Sequence, residues 1–274
     1  MVRESSIQSL IQRWKKEGRG QGIGANYKPY FTAKQVPSRG KTFRPRGIKT
    51  GREHLFLSEW EYFYFLLLEW SDLVVDIREQ FPLLDIEETV EIATELNVKH
   101  PIDPQNKDLK VMTTDFLITF QDGSEYAVSF KPFKSITARE IEKMEIERIY
   151  WARRGITWEL VTDKDCPKIF AKNIDYVHSP YYLKDYHISD STVVKAKRLM
   201  EPMIMKRQSK LTEITDIVDD RLGLIPGSSL TIARHLIITK QWVINMDQII
   251  DPNSPLQIVR YVRNEKGGEE RYAN

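Results

Sequence analysis

Asp115 and Lys131 are the residues of this sequence whose types and spacing most directly suggest chemistry. Residues 111–120 and 125–130 are rich in β-branched and aromatic side chains. Asp122-Gly123 between them supplies the residues that a tight hairpin turn takes at positive φ. In such a hairpin Asp115 and Lys131 lie close together near the open end. A carboxylate there can hold a divalent cation, and an ammonium beside it can orient a water or a phosphate. The same pair is also an ordinary exposed cross-strand ion pair, worth roughly a few tenths of a kcal/mol. The hairpin alone leaves both readings open.

The elements around it narrow the choice. Residues 58–70 predict a helix that is apolar on nearly every side and therefore buried. Glu61, at its third position, either completes a capping box with the Ser58 backbone amide or contributes a third group to a metal site. Residues 73–78 read as a strand with 79–83 as its exit, and its acids Asp76 and Glu79 read as structural or peripheral. A short helix over 85–98 precedes the loop histidine His100 and a loop over 104–110. After the hairpin come a charged helix over 137–154, ended by Gly155, and a strand over 157–161. This order predicts a mixed α/β core with its acids on the first helix and second strand.

With 274 residues and 41% hydrophobic content, two modest domains are expected. A single cysteine, Cys166, rules out an internal disulfide and suits a reducing compartment. The longest apolar run, residues 62–68, is far too short to span a bilayer, and no signal peptide opens the chain, so a cytoplasmic protein is expected. The net charge of +2 hides an asymmetry: residues 1–52 contain thirteen Lys and Arg against two Glu. Arg13, Lys15, Lys16, Arg19, Lys41, Arg44, Arg46, Lys49 and Arg52, interleaved with Tyr27, Tyr30, Phe31 and Phe43, are candidates for contacts to nucleic-acid phosphates. The competing reading is a flexible basic leader.

Beyond residue 175 the texture changes. Residues 176–187 read as a seam, followed by helices over 192–205, 211–222 and 227–237 and a strand over 241–245. That is the winged helix-turn-helix order. Its third helix offers only Arg234 and His235, with Lys240 after it, so docking to protein is favoured over reading of DNA bases.

Several stretches together resemble one family. They include Lys-Glu-Gly-Arg-Gly-Gln-Gly from Lys16, Val36-Pro37-Ser38, Lys-Thr-Gly-Arg from Lys49, Leu-Ser-Glu-Trp-Glu ending at Glu61, and Asp-Ile-Arg-Glu-Gln-Phe-Pro-Leu from Asp76. Lys-His-Pro from Lys99, Met-Thr-Thr-Asp-Phe-Leu from Met112, Phe130-Lys131-Pro132 and Glu-Arg-Ile-Tyr-Trp from Glu147 continue the match. In this order they resemble TnsA, the endonuclease subunit of heteromeric cut-and-paste transposases. The resemblance implies a restriction-endonuclease-like mixed sheet flanked by helices over 1–172 (the PD-(D/E)xK fold) and a smaller, mainly α winged-helix domain over 173–274.

It further implies Glu61, Asp115 and Lys131 as catalytic residues. A Mg²⁺ site, open also to Mn²⁺, would use Glu61, Asp115, Ser129 and the Phe130 carbonyl, with Glu147 in support. Ser129 is a departure, because the family carries a glutamine there and the wider fold an acid. The implied activity is hydrolysis of the 5′ strand at transposon ends. The implied partners are double-stranded DNA, the DDE transposase TnsB and, through the C-terminal domain, the AAA+ ATPase TnsC. An inactive assembly factor joining those partners and a winged-helix regulator are the alternatives.

Overall fold

The computed structural model describes residues 2–30, 41–103, 107–261 and 271–272. Phe31, Lys34, Arg39 and the stretch 36–38 lie outside them. The chain forms two compact units, Met1–Cys166 and Pro167–Asn274.

The first unit is built on a four-stranded sheet in the order β1-β2-β3-β4, from Val74–Pro82, Thr113–Phe120, Glu125–Phe130 and Thr157–Val161. β2 and β3 form the predicted antiparallel hairpin, with Phe116 opposite Val128, and Gly123 in the turn has φ +82°. β4 then runs parallel to β3, with Ser129 beside Leu160 and Phe130 beside Val161. β1 pairs antiparallel with β2 and continues to Pro82, so residues 79–82, expected as its exit, belong to the strand.

Among the described residues four α-helices accompany the sheet: α1 (Val2–Glu17), α2 (Glu59–Trp70), α3 (Ile86–Glu95) and α4 (Ala138–Ala152). α3 and α4 pack on the sheet through a core that includes Leu83, Ile92, Leu117, Ala127, Ile146 and Trp151. α2 buries Tyr62, Phe63, Phe65, Leu66 and Leu68, in keeping with its all-round apolar sequence. The start of the basic segment is not the flexible leader of the competing reading. Its residues 2–17 form α1, whose Ile11 and Trp14 are buried with Tyr30, Ile86 and Val111.

The second unit contains α5 (Lys168–His178), α6 (Asp190–Met205), α7 (Leu211–Leu222) and α8 (Ser228–Ile238), followed by a three-stranded antiparallel sheet of β5 (Trp242–Ile244), β6 (Ile258–Tyr261) and β7 (Arg271–Tyr272). Residue 173, where the sequence placed the domain boundary, lies inside α5. The stretch 176–187 is the end of that helix and two 3₁₀ turns. Asn173 is buried and ties residues 246–250 to α5: its amide donates to the carbonyls of Met246 and Gln248 at 2.9 and 2.7 Å, and its oxygen accepts from Ile250 N at 2.9 Å. Asp219 caps α8 by accepting from Gly227 N and Ser229 N, both at 2.7 Å. Arg234 donates to the Tyr176 carbonyl at 2.7 Å and His235 Nδ1 lies 2.9 Å from the Pro180 carbonyl, so these two residues of α8 bond within their own unit.

Candidate active site

The hairpin and helix α2 bring Asp115, Lys131 and Glu61 together. Asp115 Oδ2 and Lys131 Nζ are 3.5 Å apart, and their side chains are only 13% and 32% exposed. That burial decides against a plain surface ion pair. Phe130, expected through its carbonyl, contributes its N–H, which donates to Asp115 Oδ2 at 2.8 Å.

Glu61 forms half of the expected capping box. Ser58 Oγ accepts from Glu61 N at 3.1 Å, but the Glu61 carboxylate accepts from Leu57 N at 3.2 Å and not from Ser58 N. The cap therefore fixes the carboxylate at the start of α2, where Asp115 and Lys131 act on it with opposite signs.

Burial, followed by repulsion from Asp115, lifts the Glu61 pKa from 4.5 to about 7. Burial also raises Asp115, against the pull of Lys131 and the Phe130 N–H. For Lys131, burial works against the ammonium, yet Asp115, Glu147, Glu140 and Glu61 outweigh it and hold its pKa above the usual lysine value. Two carboxyls thus share a site where a second negative charge is costly, and a cation would relieve that cost. Among the described residues no three of His, Cys, Asp and Glu converge as a closed metal centre. Two carboxylates fit a hard divalent ion that keeps several waters and takes further oxygens from a phosphate. They do not fit the Cys/His shell of structural zinc. Cys166 is buried, which pushes its thiol up to about 11 and makes it an inert residue of the fold.

Glu147, on α4, is buried beneath this group. Burial raises its pKa to about 7 although Ser129 and Thr114 hydrogen-bond its carboxyl. Ser129 is 2% exposed, and its hydroxyl donates to Glu147 Oε1 at 2.5 Å. At the position where the resemblance implies a metal ligand, this chain has a donor to a buried acid. Beside the site opens a cleft of about 550 Å³, walled by Lys131, Glu147, Lys110, Arg139 and Lys143 with Met112 and Met144.

The basic residues divide sharply. Arg52 forks onto Glu79, donating to Oε1 at 2.7 Å through Nη1 and to Oε2 through Nη2, and His54 Nδ1 lies 2.8 Å from the same Oε2. This network is in the interior. Burial acts against the Glu79 charge, but His54 and Arg52 prevail and hold its pKa down at about 2. Arg19 donates to the Tyr30 carbonyl at 2.7 Å and covers the Trp14 ring, and Lys49 donates to the Ser71 carbonyl at 2.7 Å. These three, expected on phosphates, hold the fold together. Arg13, Lys15, Lys16, Lys41, Arg44 and Arg46 are exposed. Asp76 and Glu79 are structural, as read from the sequence: Asp76 accepts from Gly24 N and Ile77 N. His100 is a tie between elements, with Nε2 3.0 Å from Thr89 Oγ1.

Sequence reasoning gave no role to Gln80, which the pairing of β1 with β2 sets across from Asp115. No local signal carries that register.

Comparison with known proteins identifies the family. Residues 71–163 match the family described as TnsA-like endonuclease N terminal, and residues 165–246 the family described as TnsA endonuclease C terminal. The chain is 38% identical over 241 residues, 86% of each chain, to the Transposon Tn7 transposition protein TnsA of Escherichia coli. Asp115, Lys131 and Glu147 fall inside the first match and Glu61 just before it. The fold and these matches define a nuclease of transposition. The chain belongs to the TnsA endonuclease family.

Proposed function

We propose that this protein hydrolyses the 5′ strand phosphodiester at transposon ends, using Mg²⁺ held by Glu61 and Asp115, with Mn²⁺ able to replace it. The observation that carries the reading is the convergence of Glu61, Asp115 and Lys131 in a partly buried cluster that holds more acid than base. When bound, the cation would supply charge compensation at the phosphate and a water of lowered pKa. Lys131 would donate from Nζ to the attacking water or to a non-bridging phosphate oxygen, orienting the attack and neutralising charge that builds on the phosphorus centre. The water oxygen bonds to phosphorus, the bond to the 3′ oxygen breaks, and a proton ends on that leaving oxygen. Glu147, tied to Ser129 behind Lys131, adds to the field that keeps the ammonium protonated.

Double-stranded DNA is held by its phosphates, with the exposed basic residues of the first unit and the cationic cleft wall as the contacts. A DDE transposase of the TnsB type would cut and join the 3′ strands. An AAA+ ATPase of the TnsC type would dock on the C-terminal unit, in keeping with the bonds that Arg234 and His235 make within that unit. No described helix is long and apolar enough to cross a membrane.

Ser129 favours one second reading, a factor that keeps the nuclease fold and bridges these partners without cutting. Strand-resolved cleavage of a labelled transposon-end duplex in Mg²⁺ and Mn²⁺, with both partners supplied, separates the two. Nicking of the 5′ strand by the wild type, lost in Asp115→Ala and Lys131→Ala while the assembly still forms, is the expected result. Identical products from all three proteins would assign the chemistry to a partner.

A further inference from the structure

β1 contains a residue whose backbone does not suit a strand. Gln80 has φ +48°, the left-handed region that non-glycine residues enter at a cost and that concentrates at functional sites. Its neighbours hold it there. Glu79 is gripped by Arg52 and His54. Phe81 packs between the rings of Tyr27 and Trp151, with centroids 6.2 and 5.5 Å away. The Gln80 carbonyl accepts from Tyr30 N at 3.1 Å. Pairing with β2 steps from Glu79↔Phe116 to Phe81↔Thr114, so Gln80 stands opposite Asp115. It is 9% exposed, and its side-chain amide meets the Asp115 carboxyl.

We propose that Gln80 is a positioning residue of the nuclease site, its amide fixing the Asp115 carboxylate in the orientation that binds metal. The proposal rests on the reading of Glu61 and Asp115 as the metal-binding acids. Asp115 already takes one N–H from Phe130 and the ammonium of Lys131. A further cationic donor would repel the metal, whereas an amide orients the carboxylate and favours its ionised form without adding charge. A glutamine with this reach, held in a strained backbone by anchors on both sides, meets that need.

The test compares the full-length wild type with Gln80→Gly, Gln80→Asn and Asp115→Ala. Glycine accepts φ +48° freely and so preserves the backbone while removing the amide. Asparagine tolerates the same φ and keeps an amide one methylene short. Mn²⁺ is titrated into metal-free protein without DNA, free Mn²⁺ is followed by paramagnetic resonance, and melting temperatures are recorded. The Mg²⁺ dependence of 5′ strand cleavage is then measured with partners.

Both Gln80 variants are expected to melt at or near the wild-type temperature and to need about 10- to 100-fold more Mn²⁺ for half-saturation, with cleavage recovering at high Mg²⁺. Asp115→Ala is expected to lose Mn²⁺ binding outright. Wild-type Mn²⁺ affinity and Mg²⁺ dependence in both Gln80 variants, with Asp115→Ala still defective, would overturn the role of Gln80 and leave the metal site standing. No Mn²⁺ binding by the wild type, with cleavage by Asp115→Ala intact, would overturn the metal reading and this proposal together.

Discussion

Ser129 Oγ donates to Glu147 Oε1 across 2.5 Å, between two side chains that are each at least 95% withdrawn from solvent (2% and 5% exposed). The hydroxyl stabilises the charged form of an acid that burial pushes the other way, to about 7. Ser129→Ala removes that donor and raises the Glu147 pKa further. The loss is expected to be about 1–3 kcal/mol at pH 8, where Glu147 is ionised and left short of a partner, and clearly smaller at pH 5.5, where it is protonated. Denaturant unfolding at the two pH values reads the difference. Equal losses at both would mean that the bond does not stabilise the charge.

Glu79 gives the opposite sign. Its folded pKa is held near 2 against an ordinary value of 4.5. The stability it contributes is therefore present above pH 4.5 and is lost as pH falls through about 2. Glu79→Gln leaves Arg52 buried with its charge uncompensated and is expected to destabilise by about 3–5 kcal/mol at neutral pH. The variant should also lose much of the decline in stability between pH 4.5 and 2. Urea midpoints across that range, wild type against variant, provide the check.

How much of this was legible in the sequence depended on distance along the chain. The hairpin at Asp122-Gly123, the cap at Ser58 and the helices at 137–154 and 211–222 were readable because turn residues, caps and periodicity act within a few positions. Helix α1 had a readable signal as well: Ile7, Leu10, Ile11 and Trp14 fall at helical spacing. The density of Lys and Arg around them outweighed it. Arg52 could not be sorted from Arg44 by sequence, because its fate is decided by Glu79, 27 residues away. Gln80 meets Asp115 only through the β1–β2 register, and the Ser129–Glu147 bond needs α4 to close over the sheet. Both are tertiary facts with no local precursor.

That sorting of basic residues predicts two kinds of variant. Arg52→Ala should lower the melting temperature steeply, since it strips a buried carboxylate of its fork. Lys15→Ala, Lys16→Ala and Arg44→Ala touch exposed side chains and should stay within about 0.5 kcal/mol of the wild type. Where such a residue contacts a phosphate, its loss should weaken binding of transposon-end duplex uniformly across sequences. It should also flatten the slope of log affinity against log salt by roughly 0.9 per contact removed. Fluorescence anisotropy over a salt series checks this, and an unchanged slope in the triple variant would remove the α1 and Arg44 surface from the DNA path.

Glu61 couples the site to pH. Its folded pKa, about 7, lies above the ordinary 4.5. In the metal-free protein its contribution to stability is thus fully present below pH 4.5 and is lost as pH rises through about 7. A divalent cation needs the carboxylate, so binding below pH 7 must displace a proton. Apparent Mn²⁺ affinity should then fall by up to about tenfold per pH unit below 7. Calorimetric titrations at pH 6 in two buffers of different ionisation enthalpy should show a net release of up to one proton per metal from this group, vanishing by pH 8.5. In Glu61→Gln the metal-free protein should gain stability at pH 8, where the wild type carries the repelling charge, while Mn²⁺ binding weakens and loses its dependence on pH in this range. Retention of the wild-type pH dependence by Glu61→Gln would transfer the titrating role to Asp115 or Glu147, whose pKa values are raised by the same burial.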